Sequence, residues 1–195
     1  MSSLAPTQLY LARHGRTSWN ELRRWQGLTD VPLDDVGRAQ ALGLADVLRG
    51  RVDAVIASDL LRASETAQII ADALTIPVLA VDEDLRERGY GVFEGLTMEE
   101  CMERYPDAWA ARELDRNFEV PGAEPHKLVL ARMRRALDRA VALFRDGSQR
   151  GLIISHGSSL RMFLEPLIEG PVCSIRNMEY REVLHDQHGF RLAAR

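Results

Sequence analysis

The chain has 195 residues, of which 46% are hydrophobic and 28% charged, the proportions of one ordinary globular domain. A formal net charge of −4 carries no basic footprint for nucleic acid or an anionic membrane, so any anion site must be a local concentration of arginine. No apolar run reaches the ~20 residues that span a bilayer, and no charged-then-apolar leader opens the chain, so a cytoplasmic protein is expected.

Gln8 to Ala12 reads as a short apolar strand. Gly37 to Leu48 follows as a helix, its apolar residues Ala41, Leu44, Ala45 and Leu48 at helical spacing and Gly50 as the stop. Ala54 to Ala57 is a strand, Leu61 to Leu74 a helix and Pro77 to Val81 another strand. This alternation predicts an α/β fold whose mostly parallel central sheet is covered by helices on both faces. Thr97 and Glu100 form a capping-box signature opening a helix that runs to about Tyr105, where Pro106 stops it. Asp107 to Leu114 reads as a second short helix, and Asp115 to His126, with Pro121, Gly122 and Pro125, as irregular chain.

Lys127 to Phe144 is the clearest helix, with Leu130, Met133, Leu137, Val141 and Phe144 on one stripe. Gly151 to Ser155 reads as a buried strand and Ser158 to Leu167 as a helix ended near Gly170-Pro171. Arg181 to Leu184 and Phe190 to Leu192 pair as a hairpin across residues 186–189. The whole chain, residues 1–195, is read as one domain with a cap-like insertion at about 98–127.

Chemistry concentrates at two strand ends. The first strand runs into Arg13-His14-Gly15, and the run Leu152 to Ser155 leads into His156-Gly157. In open α/β sheets this edge is where ligands bind. An imidazole there can attack phosphorus or shuttle protons near neutral pH. Arg13 offers a fixed fork that matches phosphate oxygens, and a glycine leaves room for close approach. Arg62 lies near the start of a helix after a strand, where free backbone N–H groups favour an anion, yet on its own such an arginine is more often solvated. Glu83, Asp84, Glu87 and Glu94 all lie where a proton donor is wanted, and composition does not choose among them.

Five segments in order carry a resemblance: Arg13-His14-Gly15, Gln26-Gly27-Leu28-Thr29-Asp30-Val31-Pro32-Leu33, Ser58 to Ala67 with Arg62 and Thr66, Leu85-Arg86-Glu87 ahead of Gly91 and Glu94-Gly95, and Ser155-His156-Gly157. Together they resemble the histidine phosphatase superfamily, also called phosphoglycerate mutase-like. The resemblance implies a three-layer α/β/α sandwich and a metal-independent reaction through a phosphohistidine. It implies His14 as nucleophile, with Arg13, Arg62 and His156 on the phosphoryl group. It selects Glu87 as general acid, then as base, and leaves Glu94 a structural role. Asn20, Gln26 and Gly27 match positions that border the substrate, and Arg16 is placed beside them.

The family holds both phosphatases and mutases. Mutases typically carry a Gly-Leu-Asn-Lys stretch and an adjacent arginine pair; this chain has Gly95-Leu96-Thr97-Met98 and an insertion without such a pair. The expectation is therefore a hydrolase of the small phosphatase branch, acting on a small phosphomonoester without a cofactor. A bisphosphoglycerate-dependent mutase is the alternative, and a non-catalytic binding module stands third. Pro125 replaces a serine usual in that branch. Substrate identity and the choice between monomer and homodimer stay open.

The remaining polar and aromatic residues are read conservatively. His185 and His188 flank a turn with no third ligand nearby, so no metal site is expected. Cys101 and Cys173 suggest neither zinc nor a disulfide framework. Arg132, Arg134, Arg135 and Arg139 are taken as a solvated helix face, and Trp19, Trp25 and Trp109 as packing.

Overall fold

A computed structural model describes residues 5–116, 118–144, 150–168 and 174–193. Six strands form one sheet in the order β3-β2-β4-β1-β5-β6: β1 (Thr7–Arg13), β2 (Ala54–Ala57), β3 (Val78–Val81), β4 (Arg150–Ser155), β5 (Tyr180–Asp186) and β6 (Gly189–Leu192). The pairs β1–β4, β2–β4 and β2–β3 are parallel, while β5 and β6 add an antiparallel hairpin. Both faces are covered, as expected. Alternate residues of each central strand divide between two cores, because side chains on a strand point to opposite faces.

Leu9, Leu11, Ile56 and Ile153 pack with Val129, Met133, Leu137 and Phe144 of the segment that holds α6 (His126–Leu143), and with Leu160 of α7 (Gly157–Leu164). Tyr10, Ala12, Val55, Leu152 and Ile154 pack on the other face with Leu44 and Leu48 of α2 (Asp35–Leu48) and with Ile70 of α3 (Leu61–Leu74). A third, smaller cluster joins Phe93, Cys101, Trp109 and Val120. It is built on α4 (Met98–Arg104) and α5 (Pro106–Leu114).

Pro106 both stops α4 and opens α5 at its first turn, where the missing N–H costs nothing. The expected helix after His156 is shorter than the sequence suggests. It ends at Leu164 and tightens into a 3₁₀ turn over Glu165–Leu167, because Pro166 has no N–H to continue the α-helical ladder. The expected stop at Gly170-Pro171, and Cys173, lie outside the described residues. One element was missed: α1 (Ser18–Glu21), closed by a reciprocal cap between Thr17 and Asn20. Among the described residues no helix is long and apolar enough to cross a membrane.

Candidate active site

Strands β1 and β4 run parallel in the register Arg13↔Ser155, so their C-terminal ends place His14 and His156 side by side. The ring centroids lie 5.0 Å apart, and both residues are buried. The His14 N–H donates to Ser155 O at 3.0 Å, extending the ladder by one bond. Beyond it the chain turns tightly against α2. A Cβ at Gly15 would stand 2.5 Å from Gly37 O, and one at Gly37 would stand 2.0 Å from Arg16 O. Only two glycines permit that approach.

His14 Nδ1 lies 2.7 Å from Gly15 O. A carbonyl only accepts, so Nδ1 carries the proton and Nε2 keeps its lone pair. Burial above all, then the charges of Arg13 and Arg62, hold the His14 pKa well below the usual imidazole value. His156 is likewise held low, by burial first and then by Arg62, His14 and Arg13. Its Nε2 lies 2.9 Å from Ser58 Oγ, which already accepts the Leu60 N–H at 3.3 Å and so has its own proton to give. With the Ser58 hydroxyl donating to Nε2, the His156 proton sits on Nδ1.

The two arginines are positioned by backbone. Arg62 is fully buried and donates from Nη1 to Thr29 O (2.9 Å) and from Nη2 to Gly27 O (2.8 Å). Arg13 donates from Nη1 to Ile175 O (2.9 Å), and its guanidinium lies over Gly157, where a Cβ would come within 3.3 Å. Among the described residues, Arg13 Nε, Arg62 Nε and His156 Nδ1 have no hydrogen-bond partner. Buried donors left unsatisfied are costly, and an oxyanion is the kind of acceptor these donors lack.

Glu87 follows a 3₁₀ turn (Glu83–Leu85) and is 7% exposed. Its Oε1 accepts from Arg88 N (2.9 Å) and Ser159 N (3.0 Å), while Oε2 accepts from Ser158 N (3.1 Å). The free N–H groups of the first turn of α7 thus orient the carboxylate, and Oε2 keeps a lone pair for the cavity. Glu94 is fully employed elsewhere. It accepts from Tyr90 N (2.9 Å), Leu28 N (3.2 Å) and the Thr29 hydroxyl (3.3 Å), holding the loop that supplies Arg62's acceptors.

His14, Arg13, Arg62, Glu87, Asn20, Gln26 and Gly27 line one cavity of about 330 Å³. His156 is not among the lining residues; it lies fully buried beside His14. Arg16 does not reach the cavity: its guanidinium pairs with Asp34 at 2.8 Å and with Glu21, so its expected place beside the substrate is corrected to a structural one. Asn20 serves partly as a cap, its Oδ1 accepting from Thr17 N (3.1 Å) and Asn177 Nδ2 (3.2 Å).

A second set of lining arginines was not foreseen. Arg88, Arg112, Arg116 and Arg161 line the same cavity, as do Arg23 and Arg24, with Trp19, Trp25 and Phe118 also in its lining. Arg112 lies 4.7 Å from the Trp25 ring centroid and 5.3 Å from that of Trp109, a cation–π sandwich. Burial lowers its pKa first, and Arg116, Arg161 and Arg88 press it further in the same direction. His126 is also lowered, by burial and then by Arg161 and Arg88. Trp19 and Trp25 therefore do more than pack, whereas Trp109 is core. His185 packs on Phe190, and His188 is exposed.

Residues 9–192 match the model of the histidine phosphatase superfamily (branch 1), and the chain belongs to that family. The chain is 38% identical over 161 residues to the bifunctional protein Rv2228c of Mycobacterium tuberculosis, covering 82% of this chain but 43% of that protein. It therefore spans less than half the length of that relative. It is 36% identical over 177 residues to the probable phosphoglycerate mutase GpmB of Erwinia tasmaniensis, covering 89% of this chain and 80% of that one. Among solved structures, mycobacterial glucosyl-3-phosphoglycerate phosphatase Rv2419c with VO3 superposes with a TM-score of 0.84 at 28% identity, over 97% of this chain and 98% of that chain.

Proposed function

We propose that this protein hydrolyses a small phosphomonoester through a phosphohistidine, and that the substrate carries a second anionic group. One observation carries the first part: a neutral, buried His14 with Nε2 free, near Arg13 and the buried Arg62 and His156, of which Arg13 Nε, Arg62 Nε and His156 Nδ1 lack a partner. The phosphoryl group settles against Arg13, Arg62 and His156 Nδ1, which neutralise its equatorial oxygens. His14 Nε2 attacks phosphorus while the ester bond breaks and Glu87 Oε2 gives the leaving oxygen a proton. Water then attacks the phosphohistidine, Glu87 takes its proton, and phosphate and free His14 are regenerated. No step calls for a metal ion.

The second part rests on Arg88, Arg112 and Arg116, which line the cavity together with Arg161, itself paired with Glu165 at 3.1 Å, while Glu87 is the one carboxylate among the lining residues. An anion there relieves their repulsion. The names of the relatives include phosphoglycerates, which are phosphorylated acids. A mutase, which must seat two anionic groups at once, is the second reading, favoured by the same arginines.

The test is phosphate release from a panel of monoesters with EDTA present, beside a separate assay for interconversion of phosphoglycerates. Release that is abolished in a folded His14→Ala supports the hydrolase. Arg112→Met should raise KM for a phosphorylated acid about tenfold or more, the worth of one charge-assisted contact, and leave a simple aryl phosphate unchanged. Interconversion with little phosphate release would establish the mutase instead; silence in both assays would overturn the catalytic reading.

A further inference from the structure

Arg132 was expected on a solvated face, yet its side chain is only 11% exposed. It lies on α6, and every one of its five N–H donors is spent. Nε donates to Glu124 Oε1 (2.7 Å) and Nη2 to Glu124 Oε2 (2.8 Å), a bidentate fork. The other three reach backbone carbonyls of one turn: Nη1 donates to Asp84 O (2.9 Å) and Arg86 O (2.6 Å), and Nη2 to Glu87 O (3.0 Å). Glu124 completes the tie from its backbone. Its N–H donates to Gly89 O (2.9 Å) and its carbonyl accepts from Arg88 Nε (2.8 Å).

The turn that carries Glu87 is thus gripped on both sides of that residue by one arginine–glutamate pair. Neither Arg132 nor Glu124 lines the catalytic cavity; they border a separate groove with Leu28, Glu83, Asp84 and Arg86. From residues 84–90, only Glu87, Arg88 and Tyr90 line the cavity.

We infer that Arg132, locked by Glu124, is the positioning residue for Glu87, acting on proton delivery to the leaving group and not on phosphate binding. This rests on the reading of Glu87 as general acid. The α7 N–H groups fix where the carboxylate points, and Arg132 fixes the backbone from which it points. A lysine cannot replace it, since three donors on one nitrogen do not span three carbonyls and a carboxylate.

The experiment compares an alkyl phosphate, whose poor leaving group needs the proton, with an aryl phosphate that needs it little. Arg132→Gln should lower kcat for the alkyl ester about 10²-fold, the cost of displacing a catalytic group by about 1 Å. KM and inhibition by inorganic phosphate should hold within about twofold, the aryl ester should slow far less, and Arg132→Lys should not rescue. In a Glu87→Gln background the Arg132→Gln loss should vanish, because the two act as one unit. Glu124→Gln, which keeps the shape and removes the charge, should give the same pattern more weakly; it carries the test if Arg132→Gln does not fold.

Equal slowing of both esters, or a loss that adds in full to that of Glu87→Gln, would overturn the inference and leave Arg132 as a fold residue. If Glu87→Gln alone slows both esters equally, the general-acid reading falls first and takes this one with it.

Discussion

Replacing Glu87 by glutamine separates chemistry from binding. In the wild type, Oε1 accepts two backbone N–H bonds, from Arg88 and Ser159, and Oε2 accepts one, from Ser158 at 3.1 Å. A glutamine carbonyl oxygen can keep the first pair. Its NH₂ then takes the place of Oε2 and faces the Ser158 N–H, donor against donor. Losing that one bond costs about 1–3 kcal/mol, a fall in Tm of about 2–12 °C for a chain of this size, so the variant should remain folded. The proton lost to the leaving oxygen costs about 10²–10⁴ in rate, or roughly 3–5 kcal/mol, on an alkyl phosphate. An aryl phosphate should slow much less. Glu87 opposes the charges of Arg13 and Arg62, so its neutral replacement should bind inorganic phosphate at least as tightly. Steady-state kinetics on the two esters, with phosphate as inhibitor, measures all of this. Equal slowing of both esters, or a phosphate affinity that falls as far as kcat, would refute the general-acid assignment.

Gly27 sits at φ +53°, and a Cβ there would fall 2.0 Å from Glu94 Oε1. Gly27→Ala should cost about 2–4 kcal/mol, from left-handed strain together with a displaced Glu94, and should weaken phosphate inhibition by releasing Arg62; unchanged denaturant midpoint and inhibition would contradict it. Acid should also destabilise the protein through its buried histidines. Their folded pKa values lie well below 6.5, so below about pH 6.5 the unfolded chain takes up protons that the folded one refuses. Stability then falls as pH falls, by up to about 1.4 kcal/mol per pH unit for each histidine. Melting curves from pH 7 to 5 should be steeper for the wild type than for a His14→Asn, His156→Asn double variant, and parallel curves would show that the histidines are not held neutral.

Much of this architecture can be read from the chain because its signals are local. Alternating apolar runs mark β2, β4 and the helices between them, and each His-Gly pair sits where its strand stops. Glycines 15, 27 and 37 are placed where a Cβ would collide with backbone or with Glu94. What escaped reading is made by convergence. Arg88, Arg112 and Arg161 come from a loop, α5 and α7, and no spacing rule joins them. Arg132 shares a helix with Arg134, Arg135 and Arg139, which are at least half exposed, and differs only in what lies opposite it. Arg16 stands two residues from His14, yet the turn fixed by Gly15 and Gly37 sends it to Asp34 and Glu21. The short helix α1 has a Thr-x-x-Asn cap in place of the usual Glu or Gln at its third position, so the pattern passed unnoticed.

The β1–β4 pairing also governs when the site comes into being. Each partner pair, from Gln8–Arg150 to Arg13–Ser155, lies 142 residues apart in the chain. Joining such distant segments closes a long loop before any contact rewards it, which slows folding. During synthesis His14, Arg62 and Glu87 leave the ribosome early, while the strand that brings His156 beside His14 arrives only after three quarters of the chain has been made. A nascent or truncated chain ending before β4 therefore holds His14, Arg62 and Glu87 with no frame to set them against one another. Reactivity appears at the end of assembly, when the last parallel strand is inserted between β1 and β2.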